Sequence, residues 1–484
     1  MLQLSSILCG RLHKETHTKR LHQALQKQSV IRIGPNWLSF GGSQAAKDIY
    51  GYTSKCVKAG IYDKMADGGA NLNNISDNAY HSARRRMVAS SYAPKNIEYW
   101  EPGVAASVIA LKDVLDQRCA RPKSQEMIQP EELNFDAVRW IYLFSMECLI
   151  KIVLSRDVFF VRNGTDHIYF KDKNGDSRAI QALHSTHAGQ RAACTIIWDM
   201  DRFGFWQKVT NRLSKWYADN WQAGADFHTV MEALAIERME RHANGEYLYD
   251  LFQPMIEDVK GNEADMTMGD RIADVEQAVG AGTDGPAGSI IMTLYYLLRN
   301  PDTFHKLRTE LDSVLSPTDA VAPWHKIKNL PYLHACIDES MRLSPPVATD
   351  LIRRTPPDRT TVIGGEVIPP STNVSISAYT AHRDPIVFKD PEVFDPSRWM
   401  AKGTDQLREM LGIYIPFSAG VRGCIGRNVT ILIQSVCIAS LVYHYEFTLP
   451  HKDWEIELEE YFNAWPLKMP LKVWRRDEDS FVKA

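Results

Sequence analysis

A cysteine in a glycine-rich turn, directly before an apolar helical pattern, constrains the fold of this chain more than any other feature. The stretch is "PFSAGVRGCIGRN", residues 416–428, in which three glycines surround Cys424. Glycines permit positive φ and let the backbone approach a bulky partner closely. Free N–H groups at the start of the following helix, and Arg422 nearby, favour a thiolate over a thiol. The pattern predicts that Cys424 is a metal ligand rather than an inert core thiol.

Composition excludes several other classes of protein. The net charge is -3 over 484 residues, so the chain lacks the large excess of positive charge that is typical of nucleic-acid binding. The eight cysteines form no C-x-x-C pair and none lies beside histidine at zinc spacing, which argues against disulfide frameworks and zinc sites. Reduced thiols in an intracellular compartment are therefore expected.

The pattern of elements predicts a mainly α fold with a minor β region, in one domain over residues 1–484. Helical periodicity dominates from about residue 43 to 343. Residues 29–42, "SVIRIGPNWLSFGG", and residues 360–370, "TTVIGGEVIPP", predict β-hairpins. A proline-rich segment follows, and then an apolar helix and a tail rich in strands. No repeat or long linker divides the chain.

The first 20 residues predict an N-terminal extension without a membrane anchor. Their apolar run is short of the ~20 residues that a membrane span needs, and no small-residue cleavage site follows it. We therefore expect neither a signal peptide nor a spanning helix there.

The stretch "VGAGTDGPAG", residues 279–288, has the G-x-G-x-x-G spacing of a dinucleotide site but the wrong context. Such a site follows a hydrophobic strand, whereas the preceding "DRIADVEQA" is polar and helical. The following "SIIMTLYYLLRNP" is also helical. The sequence predicts one helix over about 267–299, about 50 Å long. Pro286 inside it cannot donate a backbone hydrogen bond, so we expect a bend and a freed carbonyl acceptor.

The cysteine loop resembles the haem-binding loop of the cytochrome P450 family. The family pattern F-x-x-G-x-R-x-C-x-G is matched by Phe417, Gly420, Arg422, Cys424 and Gly426. The resemblance implies a cytochrome P450 fold, with a long kinked helix on the distal face of haem b and the cysteine loop on the proximal side. It makes Cys424 the axial iron ligand, places Arg422 near a haem propionate, and has Phe417 cover the thiolate.

Three further basic or imidazole side chains match propionate-binding positions of the family. His81 and Arg85 lie four apart in "HSARRRMVASSY", with Arg84 or Arg86 as alternatives to Arg85. Arg353 resembles another propionate-binding arginine, and guanidinium groups pair well with carboxylates.

An E-x-x-R motif, Glu339 and Arg342, gives independent support to the resemblance. Alone it would indicate no more than an exposed ion pair on a helix. Followed by "SPP" and "FDPSRW", it resembles the family's Glu–Arg–Arg cluster, with Arg398 as third member. That role is structural.

The distal helix departs from the family pattern [A/G]-G-x-[D/E]-T. Ala281 and its small neighbours would leave room over the iron, and Asp284 is present, but Gly285 replaces the usual threonine. We therefore name Asp284 and Thr283 as catalytic candidates, with Ser289 as a partial substitute for the missing hydroxyl. Three explanations remain open: a substrate hydroxyl completes the relay, coupling is poorer, or the enzyme does not activate dioxygen.

The resemblance implies a monooxygenase that hydroxylates or epoxidises a small apolar or aromatic substrate. The alternative is a haem-thiolate isomerase or lyase; a simple haem carrier is disfavoured. The chain is most like filamentous-fungal microsomal members, often used in secondary metabolism. Electrons would come from a separate NADPH-dependent flavoprotein reductase. The implied location is the surface of the endoplasmic reticulum membrane, by peripheral association, or otherwise the cytoplasm.

Overall fold

A 32-residue helix, Met268–Arg299, packs against five other helices and organises the fold. It appears in a computed structural model that describes residues 17–64, 69–120, 128–171, 175–347 and 349–476. Most of the predicted N-terminal extension therefore lies outside the described residues. The helix begins with a capping box, in which the Thr267 hydroxyl accepts the Asp270 N–H and the Asp270 carboxylate accepts the Thr267 N–H. It is continuous through Pro286, and its predicted bounds of 267–299 are confirmed within one residue.

Helices make up most of the described chain, which confirms the mainly α prediction. In chain order they are α1 His17–Leu25, α2 Ser43–Tyr50, α3 Ile61–Lys64, α4 Asn78–Val88, α5 Glu101–Asp116, α6 Ala137–Leu154, α7 Phe160–Asn163, α8 Ala182–Ile196, α9 Phe203–Leu213, α10 Lys215–Ala243, α11 Gln253–Ile256, α12 Met268–Arg299, α13 Pro301–Asp312, α14 Trp324–Ile327, α15 Pro331–Leu343, α16 Ala378–Ala381, α17 Asp405–Ile413 and α18 Arg427–His444. Short 3₁₀ turns span Pro94–Tyr99, Pro130–Glu132, Ile197–Arg202, Pro396–Met400 and Gly420–Arg422.

The strands that the structure describes form five small sheets. They are β1 Val30–Gly34, β2 Trp37–Phe40, β3 Val57–Lys58, β4 Phe135–Asp136, β5 His167–Lys171, β6 Ser177–Gln181, β7 Arg353–Arg354, β8 Thr361–Ile363, β9 Glu366–Ile368, β10 Asn373–Ser375, β11 Tyr445–Thr448, β12 Leu458–Glu460, β13 Ala464–Pro466 and β14 Pro470–Arg475. The largest sheet has the order β1-β2-β10-β7-β3. Both predicted hairpins are confirmed, as β1–β2 and β8–β9.

The core lies around α12. Helix α6 is buried along almost its whole length, because its residues are apolar on every face, and it packs against α12. Helix α18, the apolar helix that follows the cysteine loop, also packs against α12. Within the described ranges no helix is long and apolar enough to cross a bilayer.

The Glu–Arg–Arg cluster forms as predicted. Glu339 accepts hydrogen bonds from Arg342 at 2.8 Å and from Arg398 at 3.0 Å, and the Glu339 and Arg342 side chains are fully buried. Arg342 also donates to the backbone carbonyls of His382 and Pro391, at 3.0 and 2.7 Å. Because buried ions need such complete pairing, the cluster fastens α15 to the irregular segment before the cysteine loop.

Candidate active site

Cys424 lies in the loop between the turn Gly420–Arg422 and helix α18. Its backbone N–H donates to the carbonyl of Phe417 at 2.8 Å, which closes the loop. Gly420 has φ of +64°, and a Cβ there would lie 2.6 Å from the carbonyl oxygen of Tyr50, so no other residue fits without movement. The loop geometry therefore requires this glycine and turns the cysteine side chain into a cavity.

The environment of the Cys424 thiol differs from the expectation. The side chain lines a cavity, and burial raises the pKa of the thiol. The backbone N–H of Gly426 and the charges of Arg85 and Arg427 act in the opposite direction. The Arg422 guanidinium donates to the carbonyls of residues 75 and 76, at 2.6 and 2.8 Å. A metal cation at the sulfur would supply the missing compensation.

The cavity above this sulfur has a volume of about 2550 Å³. Ligand pockets commonly measure roughly 300–1,000 Å³, so there is space for a large cofactor and a substrate together. Its walls come from α1, α4, α8, α12, residues 346, 347 and 349–352, the cysteine loop and residues 455–463. Of the predicted site residues, the lining includes Phe417, Arg422, Cys424, Gly426, His81, Arg85 and Ala281.

One wall of the cavity is the glycine-rich part of α12, formed by Gly280, Ala281, Gly282, Gly285 and Pro286. A Cβ on Gly282 would lie 2.7 Å from Cδ1 of Leu149 on α6. A Cβ on Gly285 would meet no atom within 4 Å. Gly282 is thus needed for the close packing of α12 against α6, while Gly285 leaves open space in the cavity.

Thr283 and Asp284 are not brought to the cavity wall. The Thr283 side chain is fully buried and its hydroxyl donates to the carbonyl of Val279 at 2.6 Å. The hydroxyl of Ser289 is buried with no hydrogen-bond partner among the described residues and also does not line the cavity. The wall of α12 therefore presents no hydroxyl group to the cavity.

The Asp284 carboxylate is buried and accepts hydrogen bonds from several side chains. Oδ1 accepts from Nε2 of His187 at 2.8 Å, and Oδ2 accepts from Asn463 at 2.7 Å and from Trp465 at 3.1 Å. Gln190, which lines the cavity, donates more weakly to Oδ2 at 3.4 Å. The His187 ring stacks on Trp465 with centroids 4.2 Å apart. The carboxylate thus connects α12, α8 and the β12–β13 hairpin.

Five basic or imidazole side chains form a cluster beside the cavity, and all but Arg353 line it: Lys58, His81, Arg85, Arg353 and Arg422. Burial, followed by Arg422, Arg85 and Lys58, lowers the pKa of His81 to about 4. Burial, followed by Arg353, lowers the pKa of Arg422 to about 10. Burial, Arg353 and Arg422 also lower the pKa of Lys58. Each positive charge disfavours the protonated form of its neighbours, and an anion bound between them would favour it instead.

The cluster fits the carboxylates of a haem. Arg422 Nε is buried and has no hydrogen-bond partner within the described residues. Arg85 donates to the carbonyl of Gly423 at 2.8 Å, tying α4 to the cysteine loop. Arg353 does not reach the cavity wall; it lies behind Tyr50, with its guanidinium carbon 5.1 Å from the ring centroid. A carboxylate of the cofactor could accept a hydrogen bond from the buried donor and balance the excess positive charge.

The choice of Arg85 over its neighbours agrees with the geometry. Arg84 is buried in an ion pair with Asp274 and does not line the cavity, and Arg86 is exposed. Asp274 also accepts the backbone N–H of Leu72 at 3.0 Å. Arg84 is therefore a structural residue.

Sequence reasoning missed Lys58, His187 and the contact of Asn463 with Asp284. Lys58 pairs with Arg353 across strands β3 and β7. His187 and Asn463 reach Asp284 from positions 97 and 179 residues away in the chain. No local sequence pattern predicts such contacts, because each depends on how elements that are distant in the sequence pack together.

The family model for cytochrome P450 matches residues 26–462. Cytochrome P450 monooxygenase cicH of Emericella nidulans is 27% identical over 483 residues, covering 97% of this chain and 89% of that protein. Pisatin demethylase of Fusarium vanettenii is 27% identical over 441 residues, covering 88% and 78%. The crystal structure of the cytochrome P450DA haem domain has a TM-score of 0.75 at 16% identity, covering 96% and 94%. This chain belongs to the cytochrome P450 family and is an oxidoreductase of its haem-thiolate monooxygenase type.

Proposed function

We propose that this enzyme inserts one oxygen atom of dioxygen into a small, apolar or aromatic organic substrate, by hydroxylation or epoxidation. The cofactor is haem b, and the electrons come from a separate NADPH-dependent flavoprotein reductase. The fungal origin of the similar monooxygenases supports a role in secondary metabolism. Peripheral association with the endoplasmic reticulum membrane surface is part of the same proposal.

The proposal rests on one arrangement of residues around the cavity. The Cys424 thiol and the small-residue wall of α12 line the same cavity, and the basic cluster lies at one side of it. A thiol ligand, an open opposite wall and an anion site are the three features needed to hold haem with one face free. Bound through Cys424, the haem would supply oxygen activation, because thiolate ligation favours O–O cleavage.

The chain itself contributes shape and exclusion of water. Residues of the cysteine loop and of α12 line the cavity, and Gly285 leaves unfilled space in it. Tyr461, Phe462 and Asn463 line the substrate side. Ala464 and Trp465 do not line the cavity. An apolar body packed against these residues would be oriented by shape, with few polar contacts.

Proton supply is the second contribution of the chain. The Nε2–H of His187 faces Oδ1 of Asp284, and the His187 side chain is 14% exposed, so this pair connects the outside with α12. Gly282 lines the cavity, and its carbonyl has no helical donor because Pro286 lacks an N–H. That carbonyl can hold a water, or a hydroxyl of the substrate, at the place where the family's threonine is missing.

A second candidate function rests on the same missing hydroxyl. With the Thr283 hydroxyl bonded inside its helix and no side chain at Gly285, the wall of α12 presents no side-chain hydroxyl. A haem-thiolate isomerase or lyase, which needs no proton delivery to dioxygen, would tolerate this arrangement. The enzyme would then act without reductase.

The first experiment tests the haem-thiolate site. The reduced protein treated with carbon monoxide should show the red-shifted absorption band of a thiolate adduct, and Cys424→Ala should abolish it. Cys194, the other cysteine on the cavity wall, provides a matched control, because Cys194→Ala should retain the band. A band that survives in Cys424→Ala refutes the proposal.

The second experiment separates the two functions. A substrate found by its spin-state shift of the haem spectrum is incubated with and without reductase and NADPH. Oxygenation predicts product only in their presence, with one oxygen atom from labelled dioxygen. Product formed without reductase would instead establish the isomerase or lyase.

A further inference from the structure

A buried carboxylate lines the cavity in the segment between α15 and β7. Asp350 is 9% exposed, and its Oδ2 accepts hydrogen bonds from the hydroxyls of Ser39 at 2.8 Å and Ser375 at 2.6 Å. Ser375 in turn accepts the indole N–H of Trp37 at 2.7 Å. Neighbouring strands β2 and β10 hold these donors in register, so the orientation of the carboxylate is fixed.

The second oxygen of Asp350 is left for a ligand. Oδ1 accepts no hydrogen bond from the described residues, while Asp350 belongs to the cavity wall. Asp350 as a whole is 9% exposed, so few waters can reach its carboxylate. A carboxylate oxygen in this position is costly unless a donor or a cation meets it.

The described residues supply no cation for Asp350. Its hydrogen bonds come from two neutral hydroxyls, and none of the described ion pairs includes it. His17 is the basic group whose charge acts on it; burial lowers the pKa of His17, while Asp350 raises it. Burial raises the pKa of Asp350 itself, and a cation bound at Oδ1 would lower it again.

We propose that Asp350 anchors a protonated amine nitrogen of the substrate, with Oδ1 accepting its N–H. The inference rests on the proposed function, because it names a polar group on that function's apolar or aromatic substrate. The aromatic side chains of Trp37 and Tyr62 line the same cavity and suit a cation next to an apolar body. Asp350 thus fixes one end of the substrate and leaves the rest of it free to reach the space opposite Cys424.

A matched pair of probes tests the anchor by calorimetric titration of the haem-loaded enzyme. N,N-diethyl-4-phenylbutylamine is protonated at pH 7 and its crowded nitrogen is a poor iron ligand. N,N-diethyl-4-phenylbutanamide has a closely similar shape but is neutral and has no N–H. We expect the wild type to bind the amine at least about tenfold more tightly, the scale of a hydrogen bond to a charged group.

Two variants assign the preference to its residue. Asp350→Asn keeps the shape and should bind both probes equally, with the affinity for the amide unchanged. Glu276 is a control, because it also lines the cavity but is already paired with His228 at 2.9 Å. Glu276→Gln should retain the preference for the amine.

Each result decides the matter. Equal binding of the two probes to the wild type overturns the anchor even if the Asp350→Asn variant fails to fold. A preference that persists in Asp350→Asn overturns it as well. Loss of the carbon monoxide band would instead defeat the proposed function, and the titration is carried out only on protein that shows this band, so the two failures are distinguishable.

Discussion

At residue 285 the structure leaves room for a side chain that the sequence does not supply. A Cβ there meets no atom within 4 Å. We predict that Gly285→Thr folds, places a hydroxyl in the cavity and improves proton delivery. In a system reconstituted with reductase, the hydrogen peroxide released per NADPH oxidised should fall severalfold. Gly285→Val, which has the same shape without the hydroxyl, should not produce this fall; if it does, space rather than proton transfer is the cause.

A buried histidine sets a second prediction at this scale. The ring of His382 accepts the Ile415 N–H at Nε2, at 2.8 Å, and lies close to the carbonyl of Arg342. Burial, and then the charge of Arg342, lowers its pKa to about 3. The unfolded chain, with a histidine pKa near 6.5, binds this proton more readily. His382 therefore contributes stability that is complete above about pH 6.5 and is lost as the pH falls towards 3.

The measurement is the free energy of unfolding at pH 7.5 and pH 5.5. Each pH unit below the unfolded pKa removes up to about 1.4 kcal/mol through this one group. His382→Gln, which keeps an acceptor for the Ile415 N–H, should be less stable at pH 7.5 but lose less on acidification. The exposed His305 is the control, since His305→Gln should leave the pH dependence unchanged. An unaltered pH dependence in His382→Gln would contradict the assignment.

At the scale of elements, helix α12 shows what the sequence could and could not reveal. Its bounds followed from the helical pattern on both sides of the glycines and from the stop at Asn300 and Pro301. The sequence did not predict which way the Thr283 side chain points, because a motif gives the order of residues and not which face of the helix packs against α6. The catalytic role of Thr283, like that of Asp284, remains a prediction.

Substitutions of Gly282 and Gly285 in α12 should change the stability in opposite directions. In Gly282→Ala the new Cβ would collide with buried Leu149, 2.7 Å away, and should cost about 1–3 kcal/mol. Gly285→Ala adds its methyl group to open space and should gain about 0.5–1 kcal/mol through helix propensity. Denaturant unfolding of the two variants, compared with the wild type, measures both. Equal effects would mean that α6 and α12 do not pack as closely as described.

At the scale of the whole molecule, the helices and strands were more predictable from the sequence than the contacts between them. Local patterns indicated the hairpins, the long helix and the cysteine loop, because each depends on nearby residues. The surroundings of Asp284 and Asp350 were not predictable, since their partners come from distant strands and helices. The positive cluster was only partly identified, because Lys58 enters it through pairing with Arg353 across two short strands.

That cluster joins four separate regions of the chain, around residues 58, 81–85, 353 and 422, so it exists only in the folded protein. Its mutual repulsion should be relieved by the propionates of haem, and haem binding should therefore depend on their charge. We predict that haem dimethyl ester, in which both propionates are esterified, leaves the protein at least about tenfold faster than haem, given the strength of charge-assisted hydrogen bonds. Transfer to excess apomyoglobin measures the rate. In Arg422→Met the difference between the two cofactors should shrink, because part of the interaction is already lost. Equal rates for haem and its ester in the wild type would show that this positive cluster does not hold the cofactor.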